Sequence, residues 1–224
     1  MRVRTVAVAA LAAVAVGAAV VEAAPESEAP AVLEFIATDF AFSGPTRSAA
    51  GYATVRMVNR GQELHHITLI RLADGKTLHD LREAMAAGAT ALPGWAVAVG
   101  GPSAAAPGQT IETSLLLKEG RYALLCVIPS ADGVMHAMKG MQAELVVEGP
   151  GPGAPAATDG EMILRDYAFL LSKPLHSGTQ TIRVRTEAEQ DHEVLFVRLE
   201  PGRTAHDFLA WVEDPSTPPP GAPL

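Results

Sequence analysis

Three residues on one short stretch carry side chains suited to a soft metal ion. They are Cys126, the only cysteine, then His136 and Met141, in the order Cys-x9-His-x4-Met. A thiolate, an imidazole and a thioether suit a metal that changes oxidation state: sulfur holds the reduced ion, and imidazole accommodates both states. The stretch that carries them, RYALLCVIPSADGVMHAMKGMQAELVV from Arg121 to Val147, sets them between two apolar runs. The same residue types serve a blander purpose equally well, as a small buried cysteine beside two residues that only pack.

A second imidazole decides what kind of site this is. Two His and one Cys in a trigonal plane, with a weak axial Met, are the ligand set of a type 1 copper site. The second His must come from elsewhere, and the adjacent pair His65-His66 offers it. In the run HHITLIRL, strand alternation places His65 with Ile67 and Leu69 on one face, and His66 with Thr68 and Ile70 on the other. His65 shares the apolar face, which points toward a core where a metal would sit. Residue types thus offer Cys126, His136 and Met141, with a histidine from elsewhere in the chain as the second imidazole. A buried hydrogen bond is the alternative role for His65.

These residues need a scaffold, and the chain is long enough to build one. Its 224 residues are 48% hydrophobic but only 5% aromatic, so a core must be built mainly from Ala, Val and Leu. The formal net charge is −8. With no basic run, nucleic acid is not an expected partner, and acidity disfavours an anionic membrane surface. At the N-terminus, Arg2 and Arg4 precede the apolar run Thr5–Val21, and Val21-Glu22-Ala23 offers a cleavage site. This reads as an export signal over 1–23, with an uncleaved anchor as the alternative. No second apolar run is long enough to span a bilayer. The expected location is periplasmic or secreted. There a lone thiol has no disulfide partner within the chain and is protected from oxidation by burial or by a metal.

The elements follow from periodicity and turn residues. Residues 24–31 are a Pro/Glu/Ser linker. Strands are predicted at Val32–Thr38, Phe40–Ser43, Tyr52–Asn59 (opened by Gly51), His65–Leu72, Thr110–Leu117, Arg121–Val127 and Gln142–Val147, with a short one at Ala96–Val99. Thr77–Ala87 reads as a helix: Thr77 and Asp80 form a near capping box, Leu78, Leu81 and Met85 share a face, and Gly88 stops it. Residues 89–108, rich in Gly, Ala and Pro, read as a surface excursion. The fold class is all-β, an antiparallel Greek-key β-sandwich over 32–149 with a short helical insertion.

A Gly/Pro linker over 150–160 leads to a repeat. An ungapped shift of 127 residues carries Asp39 to Asp166, Gly51 to Gly178, His65 to His192, and Arg71-Leu72 to Arg198-Leu199. The same shift carries Thr77, His79 and Asp80 to Thr204, His206 and Asp207. This argues for a truncated second copy over 161–212, ending in a helix at Thr204–Val212 and a Pro-rich tail at 213–224. Nothing in it corresponds to 110–147, so Cys126, His136 and Met141 have no counterparts. Its apolar strand faces lack closing strands, which implies docking on the first domain or self-association.

Over 32–147 the chain resembles the cupredoxins, the blue copper proteins. NRGQELHHITL is similar to the family's Asn-x-Gly … His stretch, and GRYALLCVIPSADGVMHAMKGMQAELVV to its closing Gly-x-Tyr … Cys … His … Met hairpin. The Cys-x9-His-x4-Met spacing is longer than the Cys-x2-His-x4-Met of plastocyanins. It is one residue longer than the type 1 loop of copper nitrite reductases. The resemblance implies a cupredoxin fold, one type 1-like copper ion on His65, Cys126, His136 and Met141, and outer-sphere electron transfer with a redox partner that the sequence does not name. Nitrite reductases and multicopper oxidases place a His directly before the type 1 Cys; here that residue is Leu125, and no His-x-His pair exists. No enzymatic activity is expected. Two other roles stay open: a periplasmic copper carrier using the Met/His-rich MHAMKGM stretch, and a metal-free cupredoxin-fold interaction module.

Overall fold

The computed structural model describes residues 30–89, 91–151, 153–214 and 219–223. The expected export segment lies outside the described residues.

The first unit is a β-sandwich. One sheet runs β2 (Ala41–Ser43), β1 (Ala31–Thr38), β3 (Arg47–Asn59), β6 (Thr110–Leu117). The other runs from the start of β3 through β8 (Gln142–Pro150), β7 (Gly120–Leu125) and β4 (Thr68–Leu72) to β5 (Ala96–Gly100). Strand β3 thus belongs to both sheets and is longer than its hydrophobic pattern predicts. Arg47, Ser48 and Ala50 pair with β8, and from Gly51 onward the strand pairs with β6 and β1. Gly51 does not open the strand but lies inside it, at φ +129, just past the register break between Ser48 and Ala50, where the strand changes sheet. A residue without Cβ takes that bend at little cost.

Alternation explains which side chains meet. Leu33, Phe35 and Ala37 of β1 and Ala53, Val55 and Met57 of β3 face Leu69, Tyr122, Leu124, Leu145 and Val147 of the opposite sheet. Each large side chain so buried contributes about 1.5–3 kcal/mol. The outer face of β4 and β7 is covered as well. Helix α1 (Leu78–Ala86) sets Leu81 against Ile70, Leu72, Ala123 and Leu125. Covering on both faces is why YALLC reads as a continuous apolar run instead of alternating. Helix α1 starts on a true capping box, Thr77 and Asp80 each accepting the other's backbone N–H.

Two expectations change around the candidate histidines. His65 does not lie in a strand: β4 begins at Thr68, and His65 makes an isolated bridge with Ala105. The excursion over 89–108 is not all surface. Its end runs beside 65–67, with the Ile67 N–H donating to the Pro102 carbonyl at 3.2 Å. Gly101 permits this approach, because a Cβ there would collide with the Ile67 carbonyl.

The second unit contains β9 (Gly160–Arg165), β10 (Ala168–Leu171), β11 (Ile182–Thr186), β12 (Val197–Leu199), α2 (Ala205–Glu213) and β13 (Gly221–Pro223). Its order β10-β9-β11 has the pairing sense of β2-β1-β3, antiparallel then parallel. Register also matches: Ala31 pairs with Ala53, and Gly160 with Ile182. Helix α2 begins on the same capping box, Thr204 with Asp207. The Pro-rich tail supplies β13, which pairs with β12. Strand β10 is exposed along its whole length, and α2 buries no residue where α1 buries Leu81. The units touch where Ser103 Oγ donates to Glu193 at 3.3 Å and Gln109 Nε2 to the Pro223 carbonyl at 3.3 Å. Among the described residues, no helix is long and apolar enough to cross a membrane.

Candidate metal centre

Strand β7 ends at Leu125, and Cys126 continues into the space between the sheets, fully buried. Its N–H donates to the Met141 carbonyl at 3.3 Å, which keeps the β7–β8 hairpin closed behind the thiol. The long Cys–His loop is then pinched at its neck. His136 N–H donates to the Ile128 carbonyl at 2.9 Å, Ala137 N–H to the Cys126 carbonyl at 2.7 Å, and Pro129 bridges Met135. Beyond the neck, Ser130 N–H reaches the Val134 carbonyl at 3.0 Å, and Gly133 turns the chain at φ +77. The surplus residues form a small outward hairpin, and His136 returns to the core.

His136 opens a 3-10 turn (His136–Lys139) that ends at Gly140, φ +115, so the chain can enter β8 at once. Met141 lies at that junction. Its N–H donates to the His136 carbonyl at 2.9 Å, and its side chain is fully buried in the apolar cluster that holds Cys126.

The structure brings three of the four sequence-selected side chains into one polar cluster. His65 Nδ1 is 3.1 Å from His136 Nδ1, and His136 Nδ1 is 3.4 Å from Cys126 Sγ. All three ligand atoms lie within 4.8 Å of one another, and all three residues are buried. Among the described residues this is the one such grouping of His, Cys, Asp or Glu. Met141 enters the same region through its backbone and its buried side chain. His66 lies outside the cluster. Its Nε2 meets Thr68 Oγ1 at 3.0 Å and the Val127 N–H at 3.4 Å, and burial pulls its pKa down to about 4.

Two carboxylates that sequence reasoning did not single out orient the rings. His65 Nε2 is 2.6 Å from Asp39 Oδ1, and His136 Nε2 is 3.0 Å from Glu63 Oε2. A carboxylate facing Nε2 draws the ring proton to that atom and leaves the Nδ1 lone pair free. Both free Nδ1 atoms then face each other and the cysteine sulfur. Two buried lone pairs at 3.1 Å repel unless a cation lies between them or one ring takes a proton. The donor set therefore fits a soft or borderline cation.

The electrostatics agree with a neutral, dehydrated pocket. Burial lowers the pKa of His65 even though Asp39 pulls the other way. Burial raises that of Cys126, opposed by the backbone N–H groups of His66 and Ile128, which favour the thiolate. Burial also works against ionisation of Asp39, but the Gln62 N–H and the His65 ring outweigh it and hold the carboxyl below its ordinary value. Asp39 had a sequence signal: the Asp–His pair recurs as Asp166 and His192, joined at 3.0 Å. Glu63 had none, since the shift places Gln190 at its position.

Gly61 of the Asn-x-Gly stretch makes room for the Asp39–His65 pair. A Cβ at Gly61 would strike both the Asp39 carboxylate and the His65 ring. Asn59, fully buried, braces the same turn from behind, donating to the carbonyls of Glu63 and Ala105 at 2.8 Å each. The methionines of MHAMKGM divide: Met141 is buried, whereas Met135 and Met138 are 39% and 46% exposed.

No family model and no curated protein matches the chain. Solved structures that the chain matches include dithionite-reduced auracyanin from the photosynthetic bacterium Roseiflexus castenholzii, at 19% identity and a TM-score of 0.38, over 54% of this chain and 99% of that one. Auracyanin A, a "blue" copper protein of Chloroflexus aurantiacus, matches at 23% identity and a TM-score of 0.36, over 53% of this chain and 99% of that one. Auracyanin B matches at 20% identity and a TM-score of 0.37, over 54% of this chain and 91% of that one.

Proposed function

We propose that this chain holds one copper ion between His65, Cys126 and His136, with Met141 as a weak fourth ligand, and works outside the cytoplasm as a one-electron carrier. The observation that carries this reading is the convergence of two Nδ1 atoms and one sulfur in a buried pocket, with both Nε2 atoms held by carboxylates. A two-His, one-Cys donor set suits copper in both oxidation states, and the metal supplies the redox chemistry.

The chain's own residues supply rigidity and dryness. His65, Cys126, His136 and Met141 are all fully buried, which leaves no open position for a substrate. Leu125, the residue before Cys126, is buried and apolar and offers no ligand to a second metal. The pinched loop and the closed hairpin fix the donors on both sides. Such a site favours movement of an electron over chemistry on a bound molecule.

Two observations bear on the other roles. The exposed thioethers of Met135 and Met138, next to the buried donors, favour a copper carrier as the second reading. The facing Nδ1 atoms weigh against a metal-free interaction module, which has no use for them. Redox cycling of the copper-loaded protein separates the readings. An electron carrier has a blue copper–thiolate absorption that one electron equivalent of reductant bleaches and an oxidant restores. Tight Cu(I) binding without that absorption would replace it with the carrier.

A further inference from the structure

The two carboxylates behind the imidazoles are not equivalent. Asp39 serves the fold: besides His65 it accepts the N–H groups of Gln62 at 2.7 Å and Glu63 at 3.4 Å, closing the 59–63 turn. The same pair recurs as Asp166 and His192, and among the described residues no His or Cys joins it in a metal-ready group. An Asp–His pair that forms with no such group beside it acts as a brace of the architecture.

Glu63 is placed differently. One carboxylate oxygen faces His136 Nε2 at 3.0 Å, and the other accepts Ser130 Oγ–H at 3.3 Å. Both partners belong to the 127–140 loop, and 127 residues on from Glu63 the position is Gln190. Its backbone carbonyl is pinned by Asn59. The Glu63 side chain is 38% exposed while His136 is fully buried, so Glu63 links that ring to solvent.

We propose that Glu63 is a positioning residue of the metal centre, whereas Asp39 is a brace of the fold. By holding the Nε2 proton of His136, Glu63 fixes Nδ1 toward Cys126, and its negative charge favours the more highly charged, oxidised ion. The proposal rests on the copper reading, but one arm of its test needs no metal.

In the metal-free protein, histidine nitrogen NMR reports the tautomer of His136. The wild type is expected to carry its proton on Nε2, and Glu63→Ala to shift the population toward Nδ1–H. In the copper-loaded protein, Glu63→Gln is expected to raise the reduction potential and weaken Cu(II) binding roughly 10- to 100-fold, with a smaller effect on Cu(I). The unfolding midpoint of metal-free Glu63→Gln should stay near that of the wild type, while Asp39→Asn lowers it. A His136 tautomer unaffected by Glu63→Ala overturns the proposal. So does a loss of metal-free stability in Glu63→Gln as large as in Asp39→Asn. A wild type that takes up no copper overturns the copper reading instead, and the tautomer then decides the role of Glu63 alone.

Discussion

His136 Nδ1 stands 3.4 Å from Cys126 Sγ, although nine residues lie between the two in the chain. Loop length therefore does not set the spacing of the donors. The neck does: three backbone contacts at Cys126, Ile128 and Pro129 return the chain to its starting point, and the surplus turns outward at Gly133.

Replacing Met141 tests the axial position. Met141→Leu fills the same buried volume but removes the thioether. The copper-loaded variant is expected to keep its metal and its colour and to show a higher reduction potential, because a weak sulfur ligand is lost and Cu(I) is favoured. Voltammetry of both proteins checks this. A potential equal to that of the wild type would place the sulfur outside the site.

Gly61 is a position where one added methyl reaches the metal centre directly. Gly61→Ala drives a Cβ into the Asp39–His65 pair, an overpacking that costs roughly 1–3 kcal/mol. Urea unfolding should show that loss, and copper affinity should fall with it as His65 is displaced. Wild-type values for both would show that the turn yields freely.

Stability of the metal-free protein should fall with acid. Burial holds the folded-state pKa of His66 at about 4, below the ordinary histidine value of about 6.5. Between these values the unfolded chain binds the extra proton, so stability rises with pH and is lost as pH falls from 7 toward 4. The His66 share is at most about 2 kcal/mol between pH 7 and 5, and the lowered pKa of His65 acts in the same direction. Urea midpoints at pH 7 and 5 measure the effect, and His66→Gln should flatten it. Stability that is level or higher at pH 5 would contradict the burial argument.

The second unit should not fold alone. Phe169, Leu170, Leu171 and Val184 are 42–62% exposed, and among the described residues no further strand joins the sheet of β9, β10 and β11. A sheet with its apolar side open lacks the burial that would offset chain entropy. The excised segment 158–224 is expected to show no cooperative thermal transition as a monomer. A sharp transition in a monomeric sample would refute this.

Much of this was legible in the chain. Alternation in YATVRMVN gave the inward face of β3, Thr77 and Asp80 gave the start of α1, and residue types together with the cupredoxin resemblance pointed to His65, Cys126, His136 and Met141. What was hidden depends on contacts distant in sequence. The sheet change at Gly51 needs the partners β8 and β6 to be known. The bridge of His65 to Ala105 joins residues that no local pattern connects. Glu63 looks like any surface acid until the loop that carries His136 folds over it.

The most direct test of the metal centre is a Cu(II) titration of the purified metal-free protein, followed by visible absorbance, beside the Cys126→Ser variant. The account predicts an intense blue absorption that grows to an end point at one copper per chain, and no such absorption in Cys126→Ser, because the band requires a copper–thiolate bond. A wild type that stays colourless with copper in excess, or a variant that turns equally blue, would contradict it.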